Sequence, residues 1–167
     1  TLRLRYPTLD DEKIARALHD QLLAHDGFEF LLFKVLDEIL ETIRGEARGE
    51  NLPEGRVPAD FFLVEVDGEI IGRVSIRHAL NGYLLNFGGH IGYAVAPEFR
   101  GRGYAKHIMR RALDHLAVLG VDRALLTCED DNLRSAQVIE KCGGVFEDIR
   151  RNGETAFRRY WIVTNRL

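Results

Sequence analysis

A strand, a glycine-rich turn, a helix and a second strand follow one another between His90 and Glu129, and this unit limits the folds open to the chain. His90–Val95 is predicted as a strand that stops before Pro97. Apolar residues then recur at helical spacing over 103–119 and form one face: Ala105, Ile108, Met109, Ala112, Leu113 and Leu116. Arg123–Glu129 is a nearly continuous apolar run, typical of a strand covered on both faces. Because a helix between two strands makes a crossover connection, we predict that these strands are parallel.

The remaining segments add antiparallel strands and helices. Two β-rich runs between Phe61 and His78 flank Asp67-Gly68, a pair suited to a tight hairpin turn. Other predicted strands are Leu2–Tyr6, Val145–Ile149 and Tyr160–Thr164; predicted helices are a segment with Ile14, Ala17, Leu18, Gln21 and Leu22 on one face, about Phe28–Ile43, and Asn132–Cys142. The expected fold class is α+β, an α/β sandwich with a mixed sheet flanked by helices. No linker divides the chain, so a single domain over residues 1–167 is expected.

Charge and composition exclude several classes of function. The net charge of −3 gives no global attraction to nucleic acid, and no apolar run approaches the roughly 20 residues of a membrane helix. The first residues lack the layout of a signal peptide, and Cys128 and Cys142 form no CxxC pair, so a cytoplasmic protein with free thiols is expected. The six histidines show no ligand spacing, so no metal is predicted.

Basic residues and glycines stand together where the helix of the crossover begins, in the stretch "EFRGRGYAKHIMRRAL". The first turn of a helix has free N–H groups that favour anions. Gly101 and Gly103 leave amides without flanking side chains, and Arg100, Arg102 and Lys106 add cationic donors, which together suit a pyrophosphate. The chain lacks a P-loop, and Lys106 stands where a dinucleotide fingerprint has its third glycine. A solvated turn is the alternative interpretation.

These residues resemble a known family. "Arg100-Gly-Arg-Gly103-Tyr-Ala105" is similar to the Gln/Arg-x-x-Gly-x-Gly/Ala signature of the GNAT superfamily of acyl-CoA-dependent N-acyltransferases. "HIGYAVAPEFR" resembles the family's central strand and its exit, and "NLRSAQVIEKCGGVFE" resembles its late helix. The order of predicted elements matches the family fold along nearly the whole chain. The resemblance implies a mostly antiparallel sheet whose central parallel strands splay apart to admit coenzyme A.

The resemblance also implies how acetyl-CoA would be held as co-substrate. The backbone of Arg100, Gly101, Arg102, Gly103, Tyr104, Ala105 and Lys106 would cradle the pyrophosphate. Tyr93, Ala94 and Val95 would pair with the pantetheine arm, placing the thioester near Ala94. A backbone N–H there would stabilise the developing oxyanion, a contribution of about 3 kcal/mol to the barrier. Asn132 would cap its helix and contact the coenzyme.

The resemblance also suggests two catalytic residues. Family members often carry a Glu about eleven residues before the signature, where this chain has Gly89 with His90 beside it. His90 is therefore the candidate general base, with Glu65 as a weaker one; alternatively, His90 only orients its strand. Many family members have a Tyr that acts as the general acid, and Ile139 stands at this position here. Ser135 is the candidate donor to the leaving thiolate; alternatively, it only satisfies backbone groups.

The function implied is N-acetyltransferase: transfer of acetyl from acetyl-CoA to a primary amine by direct attack in a ternary complex. The alternative is a non-catalytic acyl-CoA sensor of the same fold. The loop Ala79–Gly89 and the N-terminal helices are expected to wall the acceptor site, and Trp161 either lines it or belongs to the core. The acceptor, a small molecule or a peptide, is left open by the sequence, and the family's frequent dimers allow a homodimer. No nucleic acid or membrane partner is expected.

Overall fold

The computed structural model describes residues 1–26, 36–50, 52 and 54–165. The helices of these residues are α1 (Glu12–Asp26), α2 (Leu36–Arg48), α3 (Tyr104–Val118) and α4 (Leu133–Lys141). The strands are β1 (Leu2–Arg5), β2 (Ala59–Val66), β3 (Glu69–Arg77), β4 (Ile91–Val95), β5 (Arg123–Glu129), β6 (Val145–Asn152) and β7 (Thr155–Val163). Their order along the chain is the predicted one. Within the described ranges, no helix combines the length and apolar character that a bilayer crossing requires.

The strands form two antiparallel sheets. One sheet has the order β1-β2-β3-β4 and the other β5-β7-β6. The predicted fold class, mixed α and β with helices flanking mostly antiparallel strands, is confirmed. β4 and β5 meet at one end, where the His90 N–H donates to the Leu125 carbonyl at 2.8 Å. No ladder pairs them in the described part of the chain, and their parallel direction stays a prediction.

Helix α3 provides the core between the two sheets. Its buried residues are Ile108, Met109, Ala112, Leu113 and Leu116, which is the face predicted from the sequence apart from Ala105, which is only partly buried. They pack with side chains of both sheets. Burying each large aliphatic side chain stabilises the fold by roughly 1.5–3 kcal/mol. This packing therefore fixes where the helix begins relative to β4 and β5.

The β2–β3 hairpin confirms the turn predicted at Asp67-Gly68. Val66 pairs with Glu69, and the two turn residues have φ of 51° and 83°. Both values lie in the left-handed region, which Gly and Asp tolerate better than most residues.

The two N-terminal helices depart from the sequence prediction in detail. The buried face of α1 is Ala15, Leu18 and Leu22, because only this narrower stripe meets α2 and the first sheet. The other residues of the predicted face are exposed: Ile14, Ala17 and Gln21. Helix α2 continues to Arg48, beyond the predicted end at Ile43, so the cost of Gly45 in a helix, about 1 kcal/mol, is tolerated. Part of the predicted helix, 28–35, lies outside the described residues.

A buried carboxylate ties α3 to the first sheet. Asp60 of β2 accepts hydrogen bonds from the Tyr6 hydroxyl at 2.6 Å and from Nε2 of both His78 and His115 at 2.7 Å. Burial disfavours its charge, but the bonds from His115, Tyr6 and His78 together lower the pKa of Asp60 to about 2. The carboxylate therefore stays ionised in the fold.

Candidate active site

A cleft of about 700 Å³ opens where β4 and β5 part. The sequence-predicted residues that line it are Tyr93, Ala94, Val95, Arg100, Gly101, Ala105, Asn132 and Ser135. Arg102, Gly103, Tyr104 and Lys106 belong to the same turn and helix start but lie outside the lining. The volume is within the range of small-molecule sites.

The strands are held together at one end of this cleft by contacts around Gly89. Gly89 has φ of 69°, and a Cβ there would lie 2.5 Å from the Leu125 carbonyl oxygen, so only glycine allows this approach. Two backbone amides donate hydrogen bonds next to it. The His90 N–H donates to the Leu125 carbonyl, and the Leu125 N–H donates to Nδ1 of His90 at 2.9 Å. The Thr127 hydroxyl also donates to the Phe87 carbonyl at 2.6 Å. Beyond these contacts the strand edges separate.

His90 is buried beside the cleft, outside its lining. Because Nδ1 accepts the Leu125 N–H, the neutral ring carries its proton on Nε2. Burial, with a smaller contribution from Arg77, lowers the pKa of His90 to about 4. The ring is therefore uncharged at neutral pH and binds the two sheets together. Its role as general base stays a prediction.

The turn before α3 leaves backbone amides open. Gly101 and Gly103 have φ of 77° and 83°, and a Cβ on either would meet nothing within 4 Å. Gly103 is the N-cap of α3, and no side chain caps the helix. Nε of Arg100 donates to the Val95 carbonyl at 3.0 Å and so ties the turn to the end of β4. The Arg102 guanidinium lies 5.4 Å from the Phe99 ring centre. The first-turn amides of this 15-residue helix can therefore bind an anion.

Two residues with hydroxyl groups, Tyr93 of β4 and Ser135 of α4, line the cleft. Asn132 caps α4 by accepting the Ser135 N–H at 3.1 Å. Burial raises the pKa of Tyr93, and the nearby Ser135 side chain opposes this rise. Ile139 is buried in the core and has no group to donate. The sequence analysis used only the backbone of Tyr93; its position as the single titratable side chain of β4 was the signal available.

Neither cysteine has the environment of a nucleophile. Cys128 lines the cleft, but burial raises the pKa of its thiol to about 11. Cys142 is buried, with its Sγ 3.9 Å from the Lys106 carbonyl oxygen.

Glu65 lies outside the cleft lining and forms ion pairs with Arg5 and Arg3, which lower the pKa of Glu65. Within the described ranges, no three His, Cys, Asp or Glu side chains are arranged to hold a metal ion.

The predicted loop Ala79–Gly89 contains a π-helical turn, Leu84–Gly88, and Gly88 lines the cleft. The second sheet fastens this turn: Nε of Arg159 donates to the Leu85 carbonyl at 3.0 Å, and Arg150 donates to Asn86 at 2.6 Å. Nε1 of Trp161 donates a hydrogen bond to the Glu147 carboxylate at 3.0 Å, and Trp161 lies outside the cleft lining.

Sequence analysis missed Arg77, which lines the cleft beside Gly88 and Gly92. The available signal was the alternation of Arg73, Ser75 and Arg77 along an otherwise apolar strand, because residues two apart share one face.

Comparisons with known proteins agree with this geometry. The family model described as "Acetyltransferase (GNAT) family" matches residues 28–144. A mycothiol acetyltransferase of Streptomyces avermitilis is 36% identical over 87 residues, which are 52% of this chain and 27% of that relative's length. Mycobacterium smegmatis RimJ in complex with CoA-disulfide superposes with a TM-score of 0.75 at 22% identity, covering 97% of this chain and 81% of the other. The microcin C7 self-immunity acetyltransferase MccE, in complex with acetyl-CoA and AMP, gives 0.73 at 20% identity, covering 97% and 92%.

Proposed function

The chain belongs to the GNAT family of acetyltransferases, and we propose that it transfers an acetyl group from acetyl-CoA to a primary amine by direct attack in a ternary complex. The observation that carries the proposal is the continuity of one cleft from the turn before α3 to the gap between β4 and β5. An extended ligand with an anionic end fits this shape.

The residues present fit coenzyme A. The space at Gly101 and Gly103 admits phosphate oxygens to the first-turn amides, and Arg100, Arg102 and Lys106 supply positive charge nearby. β4 is the edge strand of its sheet, so the outer edge of Tyr93–Val95 can pair with the amides of an extended arm as an added strand would. Asn132 lies farther along the lining. The coenzyme, when bound, supplies the activated acetyl group.

The side chains of the chain then act on protons and charge. We expect a backbone N–H near Ala94 to donate to the acetyl carbonyl oxygen as it gains charge. We expect Ser135, which lines the cleft, to donate a hydrogen bond to the departing thiolate. A lysine-like amine is only about one part in a thousand neutral at pH 7, so a base would speed the reaction. His90 can take this role only by giving up its bond to the Leu125 N–H.

The test is a thiol-release assay with the whole chain, acetyl-CoA and a panel of primary amines. We expect free coenzyme thiol to appear in proportion to one or more amines, with the N-acetylated product identified by mass. The buried Ile139, which offers no proton, favours a second candidate, an acyl-CoA sensor. Coenzyme binding without amine-dependent thiol release supports that candidate, whereas a chain that binds no coenzyme contradicts both.

A further inference from the structure

Two arginines of β3 lie on the face of the first sheet that looks toward α2. Arg73 pairs with Leu63, which packs with the cluster of α1 and α2. The alternate residues Val74 and Ile76 pack with the cluster of α3 instead. Since residues two apart share a face, Arg73 and Arg77 both lie on the α2 side. The turn before α3 is tied to Val95 at the end of β4, whereas Arg77 lies near Gly92 at the start of that strand.

Arg77 reaches from that face into the cleft. A Cβ on Gly92 would lie 3.2 Å from Nη2 and 3.3 Å from Nη1 of Arg77, so the guanidinium lies directly against the backbone of β4. Nη1 also donates to the carbonyls of Gly88 and Gly89, at 3.3 and 3.4 Å. These bonds are long, and a guanidinium has five N–H donors, so Arg77 retains capacity to bind a further acceptor.

Positive charge accumulates around this position. Burial lowers the pKa of Arg77, and repulsion from Arg56 lowers it further. Burial and repulsion from Arg77 lower the pKa of Arg73 to about 10. Tyr83 and Glu46 of α2 raise the pKa of Arg77, and burial raises the pKa of Glu46 itself. Three guanidinium groups against one carboxylate leave an excess of positive charge that an anion would relieve.

We infer that the amine acceptor carries an oxyanion, a carboxylate or a phosphate, and that Arg77 binds this group. The inference rests on the proposed function. Arg77 lies against Gly92, two residues and roughly 7 Å along β4 from Ala94, where the thioester would lie. An oxyanion held there orients an amine a few bonds away toward the acetyl group. A planar guanidinium binds carboxylate or phosphate through paired bonds. A polycationic amine is repelled by the same residues.

Matched acceptors test the inference. We would measure kcat/KM for β-alanine against β-alaninamide and for O-phosphoethanolamine against ethanolamine, each corrected for its neutral amine fraction, with spermidine as a cationic comparison. We expect the anionic member of one pair to be preferred by about tenfold or more, since a charge-assisted bond to the substrate is lost in its partner. Which pair responds distinguishes carboxylate from phosphate. Equal or better use of the neutral members or of spermidine overturns the inference.

Variants locate the preference at one side chain. Arg77→Met is expected to abolish the preference, measured as the ratio of the two kcat/KM values, and Arg77→Lys to restore part of it. Arg3→Met is the matched control, because Arg3 is exposed on β1 and pairs with Glu65; it is expected to keep the full preference. Unfolding midpoints of all variants show whether Arg77 acts only through its bonds to Gly88 and Gly89. A folded Arg77→Met variant that keeps the preference overturns the assignment.

A binding measurement separates this inference from the proposed function. Calorimetric titration of β-alanine, O-phosphoethanolamine and their neutral partners into the protein with coenzyme A measures binding at the anion site without any acetyl transfer. If no amine releases thiol but one probe binds in an Arg77-dependent manner, the transferase proposal fails and the anion site stands. If amines are acetylated but neither probe binds better than its neutral partner, the transferase stands and the anion site fails.

Discussion

Lowering the pH from 7 to 5 is expected to destabilise the fold through His90. The unfolded chain binds a proton on this residue below its ordinary pKa near 6.5, whereas the buried ring resists protonation down to about pH 4. The stabilisation by neutral His90 is therefore complete above about pH 6.5 and is lost as the pH falls toward 4. With these two pKa values, the loss between pH 7 and pH 5 is about 1.8 kcal/mol.

The variant His90→Asn isolates this effect, since an Asn oxygen can accept the Leu125 N–H without titrating. Urea unfolding at pH 7 and pH 5 should show the free energy of unfolding falling by about 2 kcal/mol more in the wild type than in the variant. His107→Asn, at an exposed position of α3, is the control and should lose as much as the wild type. An equal loss in wild type and His90→Asn refutes the reasoning. The same variant tests the base role: an unaltered pH profile of acetylation excludes it.

Three further predictions concern the coenzyme site, the leaving group and the core. Arg100→Ala combined with Gly103→Asp should weaken coenzyme A binding at least tenfold by calorimetry, because a carboxylate at the helix N-terminus repels the pyrophosphate. Ser135→Ala should lower kcat about tenfold without weakening coenzyme binding, because losing one hydrogen bond in the transition state raises the barrier by about 1.4 kcal/mol. Asp60→Ala should lower the free energy of unfolding by about 3 kcal/mol, because it leaves Tyr6 and two histidines without their buried acceptor.

Each of these has a result that contradicts it. Unchanged coenzyme affinity in the folded double variant removes the pyrophosphate assignment, and Arg111→Ala, at an exposed position of α3, is the control for loss of charge alone. A Ser135→Ala variant with wild-type kcat shows that Ser135 only serves the helix start. An Asp60→Ala variant as stable as the wild type shows that the three hydrogen bonds contribute nothing net.

Local patterns account for the parts of the fold that the sequence predicted well. The buried face of α3 follows from apolar residues at helical spacing, and the β2–β3 turn follows from Asp67-Gly68. The turn before α3 was found because two glycines and a helix start stand together in the chain. The buried face of α1 was predicted correctly at Leu18 and Leu22 but not at Ala15, because Ile14 and Ala15 are both apolar and only the neighbouring helix decides which one is covered.

The sequence by itself therefore determined the order of the elements, the fold class and the glycine-rich turn, because each depends on residues that are neighbours along the chain. Only the tertiary structure decided which side chains contact one another in and beside the cleft. The hydrogen bond between His90 and Leu125 joins residues 35 positions apart. The proximity of Tyr93 to Ser135 and of Arg77 to Gly92 likewise depends on how separate elements pack. Burial and partners at such distances set the protonation states, and no local pattern encodes them.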